Sequence, residues 1–293
     1  MHHEVKDWLA GGDFFQIHEY RIFYREQGAG EVILLIHGYP YSSFEWKEVA
    51  QFLSKSYRVI MIDLLGFGFS DKPEYYQYSY EDYALQLTLL MQHLAVRSAH
   101  VIAHDLGASI AQELIAKHQE NDLNIEIKSI AFANGGLFMD TYRPRLIQRL
   151  LSQSPDWCGK LINRLLNRSL IEKSVCQLFG KGTQPSKLLL DQLWDVLNYK
   201  NGKNISYRLG RLVFDKYRYQ QRWISAMQGT KIPMCFINGP GDPNSGEHMA
   251  KRYEELIPQP RVFRLNNDVG HWPHLESPIS FLKAYNSFQK FSQ

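Results

Sequence analysis

Three short motifs carry side chains whose types and order suit nucleophilic catalysis. They are Ala103-His104-Asp105-Leu106-Gly107, Pro240-Gly241-Asp242-Pro243 and Gly270-His271-Trp272-Pro273. The first follows an apolar run and opens a helical stretch. Small residues at 103 and 107 allow a strand-to-helix turn so sharp that side chain 105 projects alone, the geometry of a nucleophile elbow. An aspartate capping the helix is the plainer alternative. Asp242 follows the apolar run 231–238, where an acid can orient a histidine, although Asp-Pro pairs also favour turns. His271 follows the run 261–265, in a loop that would bring an imidazole above the sheet. Of the 11 histidines it alone has this context. His2, His3 and His118 are expected in solvent, and His93, His100 and His274 have no evident partner. A fourth motif, His37-Gly38-Tyr39-Pro40, lies where its backbone can approach residue 105. The N–H groups of Tyr39 and Leu106 would then form an oxyanion hole, with His37 anchoring the loop.

An aspartate at the elbow restricts the chemistry. Attack on a carbonyl carbon would give an anhydride, so the carboxylate suits displacement at saturated carbon, opening an epoxide or expelling a halide to leave an alkyl–enzyme ester. His271, held by Asp242, would activate water against the Asp105 carbonyl, regenerating the enzyme without metal or organic cofactor. Ser109 lies a helical turn past the elbow and cannot replace the nucleophile.

These groups need a sheet to hold them. Residues 31–36, 57–63, 99–104 and 125–133 are short β-branched or apolar runs separated by amphipathic stretches, the alternation of parallel βαβ units. Ser79 and Asp82 form a capping-box pattern opening a helix that carries Leu87, Leu90, Met91 and Leu94. FFQIHEY and RIFYRE predict an antiparallel hairpin at the sheet edge. Residues 138–229 show helical spacing with almost no strand signal, punctuated by Pro144, Pro155 and Pro185. Strand–helix alternation then returns with 231–238, a helix near 246–257, 261–265 and a last helix from Ser277. The expected organisation is core 1–137, helical cap 138–229 and core 230–293.

The 293 residues are 44% hydrophobic and 22% charged, an ordinary globular composition. No apolar run approaches the roughly 20 residues of a membrane span, and no secretory signal is visible. The three cysteines, Cys158, Cys176 and Cys235, cannot all pair and lack metal-ligand spacing, which suggests a reducing, cytoplasmic setting. The net charge of +3 divides into +10 within 138–229 and −7 elsewhere. Arg208, Arg211, Arg218 and Arg222 share one face of a helix, and Lys160, Arg164 and Arg168 form a second stripe. A solvated face explains such stripes; peripheral contact with an anionic surface is the competing expectation. Nucleic acid is disfavoured, since no aromatic-interleaved basic motif accompanies the charge.

HGYP, DLLGFGFSDKP (63–73), AHDLGA (103–108), GPGDP (239–243) and GHWPHLESP (270–278) resemble the α/β-hydrolase group of epoxide hydrolases and haloalkane dehalogenases. FANGGLF (132–138), TYRP (141–144), RLLN (164–167) and LFG (178–180) are similar to the mesoderm-specific transcript protein family. The resemblance implies an α/β-hydrolase fold: a mostly parallel eight-stranded sheet with an inserted helical cap. It implies catalysis by Asp105, Asp242 and His271 on a small-molecule substrate. Halide-binding relatives carry Trp after the nucleophile and usually Asn or Glu after the His-Gly, where this chain has Leu106 and Tyr39. Epoxide opening is therefore the leading expectation, with haloalkane hydrolysis or a non-catalytic binding protein as alternatives. An acid for the alkoxide would come from cap tyrosines: Tyr142, Tyr199, Tyr207, Tyr217 and Tyr219 are available, and Tyr142 and Trp272 are the candidate substrate contacts.

Overall fold

Apolar residues dominate the central strands because both faces of the sheet are covered. In β3 (Val32–Ile36), Ile33 and Leu35 join one buried cluster while Leu34 and Ile36 join another on the opposite face. The computed structural model describes residues 1–144 and 156–292. Its sheet has the order β1-β2-β4-β3-β5-β6-β7-β8. The strands are β1 (Asp13–Ile17), β2 (Tyr20–Gln27), β3, β4 (Arg58–Ile62), β5 (Ser98–His104), β6 (Glu126–Ala133), β7 (Met234–Asn238) and β8 (Val262–Arg264). β1 and β2 form the antiparallel edge; the pairs from β4 to β8 are parallel. The carboxyl ends of β3, β5, β6 and β7 therefore lie side by side, where loops from distant parts of the sequence can share a site.

One sheet face is covered by α3 (Tyr80–His93), α4 (Leu106–Gln119) and α9 (Glu247–Leu256), the other by α1 (His3–Ala10), α2 (Lys47–Leu53) and α10 (Pro278–Ser292). Ser79 caps α3 by accepting from Asp82 N at 3.1 Å. The Asp82 carboxylate does not complete the box; it accepts from Tyr76 and Gln86 instead, both at 2.8 Å. Among the described residues between β6 and β7 there is no strand. This insertion contains α5 (Asp156–Leu165), α6 (Arg168–Cys176), α7 (Lys187–Asn198) and α8 (Ser206–Gly229). Pro185 precedes α7, and Pro155 lies outside the described residues. No described helix is long and apolar enough to cross a membrane.

The insertion is tied to the core by polar contacts, from buried to exposed. Trp223 of α8 donates to Glu113 of α4 at 2.7 Å, and Arg222 pairs with Glu113 and Glu120. Lys160 pairs with Glu74, and Arg168 with Glu172 and Asp191, so part of both basic stripes is neutralised locally. Helix α1, absent from the sequence reading, buries Val5 and Trp8 against the core. Its Glu4 bridges Lys47 of α2 and Gln192 of α7.

The turn from β5 to α4 needs glycine at 107 because a Cβ there would lie 2.5 Å from the Ile36 carbonyl oxygen. Backbone cannot yield as a flexible side chain would, so Gly107→Ala should destabilise the protein by about 1–3 kcal/mol. A urea midpoint equal to that of the parent protein would contradict this packing account.

Candidate active site

Asp105 occupies the turn with φ 46° and ψ −103°, a backbone conformation that L-residues rarely adopt. Its N–H donates to the Asn134 carbonyl at 3.2 Å, fixing the elbow to the end of β6. The side chain forms no cap bond with α4, so the helix-capping alternative does not account for it. Tyr39 N–H donates to Asp105 Oδ2 at 3.1 Å, while Oδ1 lies 3.8 Å from His271 Nε2. The two oxygens of one carboxylate thus face different partners. Gly38 makes this approach possible, since a Cβ there would lie 2.8 Å from Asp105 Cβ. Leu106 begins α4 and borders the same space.

His271 and Asp242 meet in the buried interior. His271 Nδ1 is 2.8 Å from Asp242 Oδ2, leaving Nε2 directed at Asp105. Burial alone would raise the Asp242 pKa, but His271 and donors from Ser245 and Asn134 hold it well below the usual carboxylate range. Ser245 Oγ and Asn134 Nδ2 donate to Oδ2 at 2.5 and 3.0 Å, and Asn244 N donates to Oδ1 at 2.8 Å. Burial opposes protonation of His271, yet Asp242 and then Asp105 push its pKa up to about 9.

Further residues brace these loops. Asn134 also accepts from Gly239 N at 2.7 Å, so an amide at the end of β6 organises the loop that carries Asp242. The Glu276 carboxylate accepts from Gly270 N, Trp272 N and the cap's Gly180 N at 2.7–2.9 Å. It is a staple for the His271 loop rather than a substitute for Asp242, and Asp268 is exposed. Glu45 Oε1 accepts from Gly38 N at 3.0 Å and lies 2.9 Å from His104 Nδ1. His104 Nε2 in turn contacts the His271 carbonyl at 2.9 Å. Glu45, His104 and His274 bring their potential ligand atoms within 4.8 Å of one another. Both nitrogens of His104 already have protein acceptors, and Trp46 stacks on His274 at 3.9 Å, so the cluster is a brace between loops.

Of the remaining histidines, His37 accepts from Leu64 N at 3.1 Å and anchors its loop as expected. His100 contacts Ser129, and His93 stacks on Phe15. His2 is half-buried, with its N–H donating to Asp195 at 2.5 Å, rather than fully solvated.

Asp105 lies between two cavities. The larger, about 350 Å³, is walled by Leu170, Ile171, Val175, Leu178 and Trp272 and also exposes His271. The smaller, about 40 Å³, is bordered by Leu106, Tyr80, Tyr142 and Lys216. Trp272 stands at the larger cavity with its ring 4.7 Å from His271 and 4.8 Å from Phe179. Of the five cap tyrosines considered, Tyr142 alone borders either cavity. Tyr219 donates to Glu81, Tyr207 bonds with Arg208, Tyr199 packs on Phe69 and Tyr217 is exposed.

Residues 31–278 match the family described as alpha/beta hydrolase fold. The chain is 34% identical over 293 residues to the mesoderm-specific transcript protein of Mus musculus, covering 97% of this chain and 87% of that protein. It is 30% identical over 282 residues to a putative hydrolase, LipZ, of Mycobacterium tuberculosis, covering 96% of each. Among solved structures, the epoxide hydrolase CorEH superposes with a TM-score of 0.77 at 20% identity, covering 96% of this chain and 99% of that one. The match over most of the length, and the sheet and insertion described above, make this chain a member of the α/β-hydrolase fold family.

Proposed function

We propose that this hydrolase opens epoxides through a covalent ester on Asp105. The observation that carries the reading is the unequal placement of the two Asp105 oxygens. In a serine hydrolase the oxyanion donors await an oxygen of the substrate. Here the Tyr39 N–H already holds Asp105 Oδ2, the oxygen that becomes the oxyanion when water attacks Asp105 itself. Oδ1 remains for displacement at carbon, and His271 Nε2 stands on that side to activate water afterwards.

The order of steps follows from charge. Before reaction, Asp242 and Asp105 both favour imidazolium at His271. Alkylation converts Asp105 to a neutral ester and removes one of these influences. The pKa of His271 falls as a result, and a larger fraction becomes neutral base when a base is needed. Asp242 stays beside Nδ1 and stabilises the imidazolium formed as water is deprotonated. The apolar wall of the larger cavity suits an aliphatic or aryl-alkyl substituent. Leu106 and Tyr39 border the nucleophile where halide-binding relatives place donors, which favours an oxygen leaving group over a halide. Three unpaired cysteines accord with a cytoplasmic setting.

The reading predicts that His271→Gln protein, incubated with a panel of terminal aliphatic and aryl epoxides, accumulates one adduct at Asp105 by peptide mass spectrometry. Modification elsewhere, or turnover surviving Asp105→Ala, would sink it. In a single turnover in ¹⁸O-water the label should enter the Asp105 carboxylate and not the diol.

Asp242→Asn should slow ester hydrolysis by about 10²–10⁴-fold while slowing alkylation far less. Equal losses in the two steps would count against Asp242 as the orienting acid.

Finally, Asp105→Asn mimics the discharge and should move the His271 titration, followed by imidazole NMR, downward from about 9. An unmoved titration would contradict the proposed coupling.

A further inference from the structure

Helix α8 carries a lysine on its apolar face. Lys216 follows Leu212 by four residues and precedes Tyr219 and Trp223 by three and seven, in the stripe that packs on the core. It is 2% exposed, and among the described residues its one hydrogen bond is a long one, 3.4 Å to the Gly136 carbonyl. Its ammonium also lies 5.5 Å from the centre of the Tyr142 ring. An ammonium stripped of water is costly unless something compensates for it. The small cavity it borders is also lined by Asp105. A volume of about 40 Å³ holds a hydroxyl-sized group and little more.

Resting on the Asp105 reading above, we infer that Lys216 is the proton donor to the epoxide oxygen, which enters the small cavity while the carbon substituent occupies the large one. Two other hydroxyls there are weaker acids than usual. Tyr80 donates to the Leu212 carbonyl at 2.7 Å, and burial raises its pKa well above the usual value. Tyr39 is pushed up to about 12 by burial. Burial acts on Lys216 in the opposite sense, lowering its pKa and making the ammonium a better acid, while Asp105 tempers the shift.

With the resting imidazolium proton of His271 exchanged with solvent once the ester has formed and recovered after turnover, the remaining proton inventory closes within the site. A lone pair on Asp105 Oδ1 forms the new C–O bond, and the epoxide C–O bond breaks with its electron pair remaining on oxygen. Lys216 gives that oxygen a proton, leaving an alcohol and a neutral amine. Water then adds to Asp105 Cγ, with His271 taking its proton. The acyl C–O bond breaks, and the departing oxygen takes the proton from His271. Asp105 is left as a carboxylic acid, which returns its proton to the Lys216 amine in the cavity they share.

The test uses the full-length His271→Gln background, where alkylation is the only step observed. Rates of adduct formation are compared for an epoxide and an activated alkyl bromide of the same carbon skeleton, because bromide leaves without a proton. Lys216→Met should lower the ratio of epoxide to bromide alkylation about 100-fold, the scale of general acid catalysis. A second measurement needs no change at 216: with Lys216 intact, epoxide alkylation should decline as pH rises through a midpoint below the ordinary lysine value of 10.5, and bromide alkylation should not. Asp105, Tyr39, Tyr80 and Tyr142 are the other titratable groups lining the cavity. The decline should therefore survive Tyr142→Phe. An unchanged ratio in Lys216→Met, a flat epoxide profile, or loss of the decline in Tyr142→Phe overturns the assignment while the Asp105 adduct still stands. Absence of any adduct in the Lys216-intact protein overturns both readings together.

Discussion

The strained backbone at Asp105 is the constraint around which the site is built. A residue with φ 46° and ψ −103° stays there only if its surroundings over-determine it. Gly107 lets α4 press against the end of β3, Gly38 lets the neighbouring loop reach the Asp105 side chain, and the Asn134 carbonyl accepts the Asp105 N–H. Glu45 ties the Gly38 loop to His104, and His104 ties itself to the His271 carbonyl. The loops after β3, β5 and β8 are therefore parts of one buried polar junction, and displacing any one would shift the Asp105 carboxylate relative to the Tyr39 N–H and to His271.

That junction also sets the electrostatics. A buried carboxylate–imidazole pair is tolerable when the remaining lone pairs are satisfied. Ser245, Asn134 and Asn244 supply three donors to Asp242 besides His271. An amide at 134 is better suited here than a second acid, because it donates to Asp242 and accepts from Gly239 at once. Glu276 extends the same logic, holding the His271 loop and the cap's Gly180 through backbone N–H groups.

Much of this was legible in the chain. Strands buried on both faces appear as uninterrupted apolar runs; the motif at 105 follows one directly, the motif at 242 follows one after a short turn and the motif at 271 comes after the half-exposed β8, so the sheet and the order of the three side chains could be traced. What escaped reading depends on pairings distant in sequence. Helix α1 is a short segment whose role rests on Trp8 and on Glu4 reaching Lys47 and Gln192. Asn134 resembles a turn residue until its two partners, more than 100 positions away, are known. Glu276 could be noticed as an acid near His271, but its commitment to backbone N–H groups was invisible. Lys216 did leave a trace: a cation in phase with Leu212, Tyr219 and Trp223 breaks an apolar stripe, which periodicity can detect even though its environment cannot be inferred.

The insertion differs from the rest of the chain in charge as well as in architecture. The core carries Asp105, Asp242 and His271 on loops at the carboxyl ends of its strands, the groups that the proposed reaction uses as nucleophile, orienting acid and base. The cap supplies walls for both cavities, together with the excess of positive charge. Along α8 that charge takes two directions. Arg222 turns outward to Glu113 and Glu120 and helps clamp the helix to α4, whereas Lys216 turns inward to the space beside Asp105. The clamp and the buried ammonium lie on one continuous helix from Ser206 to Gly229. The contacts that bind α8 to α4 and the α8 side chains that wall the small cavity are thus carried by one element.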